Sequence, residues 1–258
     1  MSTQMLLTVM AFGVAAVAGV RGLWSPCGLS MVSALNPMAE RGRGNRYWLT
    51  AGWYLLGAVA GGALLGAGCA ALATGVSAFA PGPTGRALLA TAAALVCWLS
   101  DGPVSGWRLP THPRQVNERW IGRYRRWIYA GGFGVQIGTG FATYVMSATV
   151  YLTVALAALT GDARLAFAAG IVFGTVRGLG VLCGRSVRTP ERLRAVLGRI
   201  DARGELSLSA CVGTEVAVAA LAAWRLGGPV VGAAVGAALI AVTVAGPAHR
   251  PWKSDTVV

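Results

Sequence analysis

Charge is scarce in this chain, and only 12% of its 258 residues carry any, against about 25% in soluble domains. Lysine is almost missing: of 22 basic residues, Lys253 is the one lysine. No P-loop, HExxH or GxSxG pattern occurs, so ATPase, protease and lipase readings have nothing to rest on. Cys27, Cys69, Cys97, Cys183 and Cys211 form no CxxC or CxxxxH spacing, and His112 and His249 fall in loops without partner ligands. That excludes a zinc site and a secreted disulfide framework, and we expect no metal or other cofactor. The first twenty residues contain no Lys or Arg, and no small-residue cleavage site precedes a soluble domain, so a cleaved signal peptide is not expected.

What the chain has in quantity is apolar sequence, 55% of it, in runs of roughly 20 residues that match a ~30 Å hydrocarbon core. This predicts an all-α, polytopic helix bundle in the cell membrane with the lipid bilayer as its first partner. We read seven spans: Leu6 to Pro37, interrupted at Pro26; Tyr47 to about Ala73; Gly85 to Ser100; Trp127 to Leu159; Ala163 to Cys183; Leu206 to Trp224; and Val230 to Ala245. Most arginines lie between them, in Arg108 to Arg126 and Arg185 to Arg203. Such loops set topology, so the net charge of +13 reflects the positive-inside rule, with the N-terminus outside and the C-terminus cytoplasmic, and not nucleic-acid binding.

Sliding the chain by 118 residues superimposes Gly13 on Gly131, Gly22 on Gly140, Gly52 on Gly170, Gly62 on Gly180 and Gly66 on Gly184. Residues 1–100 then form a first three-helix repeat, 101–126 a basic cytoplasmic connection, 127–226 a second repeat, and 227–258 a C-terminal span and tail. An odd number of spans per repeat inverts the halves, and inverted repeats place their site near the midplane at broken helices. Small residues four apart, such as Gly57/Gly61, Gly62/Gly66 and Gly170/Gly174, predict close helix packing.

The first run carries Ser25-Pro26-Cys27. Proline at membrane depth breaks the helical ladder and is tolerated where protein or a polar cavity satisfies the freed groups. Ser25 and Pro26 shape the break, and Cys27 sits at it as a candidate redox thiol. The motif Gly-x-x-Ser-Pro-Cys over Gly22 to Cys27, in a broken first helix of a doubled three-helix pattern, resembles the DsbD/CcdA family of transmembrane thiol-electron carriers. The resemblance implies thiol–disulfide exchange through a cysteine in the first helix of each repeat. The second repeat, however, offers Val145 where that cysteine would stand, and Tyr144 where the proline would. Exchange needs a resolving thiol, so either Cys69, Cys97 or Cys211 substitutes from another helix, or a partner protein supplies it, or the electron-carrying function is gone. Cys-Gly-x-Ser followed by Asn36-Pro37 is similar to a divergent, MauF-like branch, which implies maturation of an extracytoplasmic redox protein.

Further candidates line the runs. Arg21 and Arg177 are charges inside apolar segments, and Glu215 is the carboxylate within the sixth; such residues face a partner or a wet cavity. Arg21 could hold Cys27 as thiolate, or Arg177 and Glu215 could line a solute path or pair structurally. Gln136, Thr139, Thr143 and Tyr144 put polar groups at the break of the fourth run, where they could line a cavity opposite Cys27 or bond carbonyls of the preceding turn. Three functions stay open: thiol transfer or maturation of an extracytoplasmic protein, cytochrome c biogenesis included, with a thiol-bearing protein partner; a small-solute transporter using Arg21, Arg177 and Glu215; and a membrane scaffold without chemistry.

Overall fold

A computed structural model describes residues 2–103, 107–110 and 119–245. His112, His249, Lys253, the polar tail and part of the first basic connection lie outside them. The described residues form helices joined by turns and short irregular segments, with no strand among them. In chain order they form α1 (Thr3–Arg21), a short 3-10 turn (Gly22–Trp24), α2 (Pro26–Ala34), α3 (Pro37–Gly42), α4 (Tyr47–Phe79), α5 (Pro83–Asp101), α6 (Trp120–Arg123) and α7 (Arg126–Thr139). There follow α8 (Thr149–Leu159), α9 (Ala163–Gly178), a second 3-10 turn (Leu179–Gly184), α10 (Pro190–Asp201) and α11 (Gly204–Ala245).

Four helical stretches are long and apolar enough to cross a bilayer: Thr3–Trp24, Tyr47–Phe79, Ala163–Gly184 and Pro190–Ala245. Large apolar side chains stand exposed along them, Leu56, Leu64, Phe79, Val230 and Val244 among them, a surface compatible with lipid contact. The second run outlasts its expected end at Ala73 and continues to Phe79; its 33 residues make a rod of about 50 Å. The stretch expected as a plain basic connection after Cys183 contains a helix, α10. Thr189 caps it by accepting the Arg192 N–H, and Pro190 opens its first turn, a start signal that charge counting overlooks. Its apolar face, Val196 and Ile200, packs on Val32 and Val187, and its arginines face outward.

Glycines decide how close the central helices come. On α4, a Cβ at Gly57 would lie 2.1 Å from the Gly131 carbonyl oxygen of α7, and one at Gly61 2.3 Å from that of Val135. On the neighbouring face, a Cβ at Gly62 would meet the Gly170 oxygen of α9 at 2.6 Å. Thus α4 is held backbone to backbone between α7 and α9, which is the packing expected from the small-residue spacing. The chain also turns at Gly227-Gly228-Pro229, between the two last apolar runs. Gly228 takes a φ of +78°, α11 folds back on itself there, and a Cβ at Gly232 would meet the Ala220 oxygen of the first arm at 2.8 Å.

Candidate functional site

Both long interrupted runs break, the first capped by its own serine and the second by a distant carboxylate. At the first, the Ser25 hydroxyl donates to the Gly22 oxygen at 2.6 Å and accepts the Gly28 N–H at 3.0 Å. Ser25 is thereby the N-cap of α2, and Pro26 occupies the first helical position, where its missing N–H costs nothing. Gly28 is required because a Cβ there would approach the Gly22 and Leu23 carbonyls to 2.6 Å. Cys27 follows in the first turn. It is 1% exposed and packs with Met31, Tyr47, Tyr54, Tyr129, Phe133 and Ile137.

The second break runs from Gly140 to Ala148. Gly140 has a φ of +78°, a conformation that suits glycine. The break's far end is capped from a distance: the Ala148 N–H donates to both Asp101 carboxylate oxygens at 3.0 and 2.9 Å, and the Ser147 hydroxyl donates to Asp101 as well. Thr149 then starts α8 and donates through its hydroxyl to Glu215 at 3.2 Å.

Arg177 of α9 joins the two breaks. Its Nη2 donates to the Thr143 hydroxyl at 3.1 Å and its Nη1 to the Gly140 oxygen at 3.5 Å. Its Nε sits so close to Gly22 that a Cβ there would lie 2.5 Å away. One buried guanidinium thus reaches both interrupted runs, against Gly22 in the first and Gly140 and Thr143 in the second. Arg177 also lies over the Phe173 ring, 5.7 Å from its centroid, and within electrostatic reach of Tyr54 and Cys27. A cleft about the size of one water opens between Arg21, Gly22, Met146, Ser147 and Arg177.

The remaining candidates separate. Arg21 Nη1 donates to the Gly204 oxygen at 2.9 Å, at the start of α11. Among the described residues Glu215 forms no ion pair with Arg177; it lies with Asp101, Thr149 and Cys211. Thr139 bonds the Val135 oxygen one turn back at 2.7 Å, the local option for a helical threonine. Gln136 is half-buried on α7. Tyr144 packs against the cluster that contains Cys27. All five cysteines are thiols, with Cys183 exposed and the other four buried. Cys69 and Cys97 pack in different apolar clusters from Cys27. No group of three or more His, Cys, Asp or Glu side chains among the described residues could hold a metal ion.

One polar centre was not singled out from the sequence. Glu40, wholly buried, binds Arg43 at 2.6 Å, accepts the Thr50 hydroxyl at 2.5 Å and accepts the Tyr129 hydroxyl at 3.1 Å. It fastens the α3 turn to α4 and α7. Asn36-Pro37, a cap followed by a first-turn proline, was the signal that Glu40 belongs to a folded helix and not to a polar loop.

The class so defined is an all-helical bundle with apolar helices compatible with a bilayer and a polar junction between two broken helices. Over 225 residues the chain is 32% identical to the methylamine utilization protein MauF of Paracoccus versutus, covering 83% of this chain and 80% of the relative. It is 32% identical over 195 residues to MauF of Paracoccus denitrificans, 72% of this chain and 68% of the relative. MauF of Methylophilus methylotrophus is 28% identical over 190 residues, 70% of this chain and 64% of the relative. The chain belongs to the MauF family. No protein-family model matches it, and no solved structure does so with significance.

Proposed function

We propose that this protein is a membrane accessory factor in methylamine utilization that supports the maturation of an extracytoplasmic redox protein, with Cys27 as the thiol that contacts the partner. The observation that carries the reading is its family membership, since the relatives bear the name methylamine utilization protein. In this reading the fold is DsbD/CcdA-like, with seven crossings, inverted repeats, the N-terminus outside and the C-terminus in the cytoplasm. The equivalence of Gly22 and Gly140, both at helix breaks and both against Arg177, supports the repeat. The α5 helix and the first arm of α11, which pack on one another, correspond under the same offset.

Cys27 shares its apolar cluster with no other cysteine, so the partner protein supplies the second thiol. Contact requires the two breaks to part, because the sulfur is enclosed when they are together. The test uses the full chain carrying Cys183→Ser in sealed vesicles, alkylated from each side before and after reduction, with trapping of mixed disulfides in cells growing on methylamine. A partner cross-linked through Cys27, and growth lost in Cys27→Ser, is the expected result. Normal growth and partner maturation in Cys27→Ser would remove the thiol from the mechanism and leave the accessory role to the junction alone.

A further inference from the structure

We infer that Glu215 and Asp101 together form a binding site for one proton, held on Oε2 of Glu215, at the junction of α1, α5, α8 and α11. The site is independent of the Cys27 reading. Two acids near one another are not a site in themselves; what makes this pair one is the state of a single atom. Glu215 is wholly buried, and its Oε1 accepts the Thr149 hydroxyl at 3.2 Å. Its Oε2 is sealed from solvent and no donor reaches it. A carboxylate oxygen sealed in this way and lacking a donor is relieved when it carries a proton.

The neighbour is built for the opposite state. Asp101 accepts the Ala148 N–H on both oxygens, at 3.0 and 2.9 Å, and the Ser147 hydroxyl besides. All of these are donors, and the Ala148 N–H lies at the start of α8, so the set suits an anion. Charge counting gives the same division. From α1, Arg21 lies within electrostatic reach of Asp101 without an ion pair to it; α5 contributes Cys97 and α11 contributes Cys211 as thiols; α8 offers hydroxyls. Arg108, beyond the end of α5, is exposed. Both of these arginines act on Asp101 and neither acts on Glu215, so an anion at Glu215 would be buried without a cation beside it. Release of the proton therefore sets two carboxylates against each other inside the packing of α11 on α5 and α8. A water-sized cleft that includes Ser147 and Arg21 in its wall lies beside the pair.

The test is infrared difference spectroscopy of the full chain in lipid at neutral pH, in light and heavy water, which reads the C=O stretch of a protonated carboxylic acid. We expect one such band, lost in Glu215→Gln and kept in Asp101→Asn. We also expect Glu215→Gln, which mimics the neutral acid, to match the wild-type unfolding midpoint at neutral pH and to remain folded at alkaline pH where the wild type loosens. A wild-type spectrum without a band that Glu215→Gln removes overturns the proposal. So does a band lost in Asp101→Asn but not in Glu215→Gln. Stabilisation of the wild type by sodium ion that Glu215→Gln abolishes would assign the site to a cation and equally overturn it. If Glu215→Gln fails to fold, the wild-type and Asp101→Asn spectra still decide the matter: a band in both sustains the proposal, and none in either defeats it.

Discussion

Replacing Gly57 by alanine is the sharpest test of how the bundle is held together. The added Cβ would stand 2.1 Å from the Gly131 carbonyl oxygen, and ordinary contact begins at 3.4 Å, so α7 must retreat by about 1.3 Å. The obstacle is backbone and no rotamer change relieves it. The retreat cannot stay local, because Gly134 and Gly138 of α7 press on the Tyr54 and Ala58 oxygens of α4, each with a hypothetical Cβ at 2.1 Å. Overpacking of this kind costs about 1–3 kcal/mol, and parting the two helices adds lost dispersion. Gly68 lies on the same helix with nothing within 4 Å of its Cβ position; there alanine should gain roughly 0.5–1 kcal/mol from helix propensity. Tryptophan fluorescence followed through denaturation in detergent micelles measures both variants. If Gly57→Ala is as stable as Gly68→Ala, α4 and α7 do not meet backbone to backbone and the central packing described above is wrong.

Other perturbations probe separate contacts. Glu40→Ala strips Arg43, Thr50 and Tyr129 of a shared acceptor and should cost about 1–3 kcal/mol, read as a lowered unfolding midpoint. Trp24→Phe deletes the indole bond to the Ile200 oxygen at 2.7 Å and should cost about 1 kcal/mol, with faster hydrogen exchange in α10 as the local readout. Arg177→Gln should leave the protein folded but loosen both breaks, seen as faster alkylation of Cys27; an unchanged rate would show that Arg177 does not tie them. In the native protein, a bulky maleimide should label the exposed Cys183 at least tenfold faster than any other cysteine, a spacing set by burial.

Local features were legible in the sequence and distant pairings were not. Proline after serine announced the first break, the Gly227-Gly228-Pro229 run announced the hairpin, and glycines four apart announced close packing. Each of these signals acts within a few residues, where backbone sterics leave little choice. Asp101 read as the edge of a basic connection because it ends an apolar run. Its partners, Ser147 and Ala148, lie 46 and 47 residues away, and no periodicity encodes which helix start a carboxylate will cap. Arg177 was found as a costly charge, but its role as the tie between Gly22 and Gly140 needed coordinates. Glu40 is the converse case: it stands among Arg41, Arg43 and Arg46 in the sequence, and the fold buries it.

The hydroxyl of Ser25 serves the turn before it and the helix after it with one oxygen atom, donating to the Gly22 oxygen and accepting the Gly28 N–H. Alanine there would take the acceptor from the Gly28 N–H and one donor from the Gly22 oxygen in a wholly buried place, so the bend's geometry hangs on a single side-chain atom.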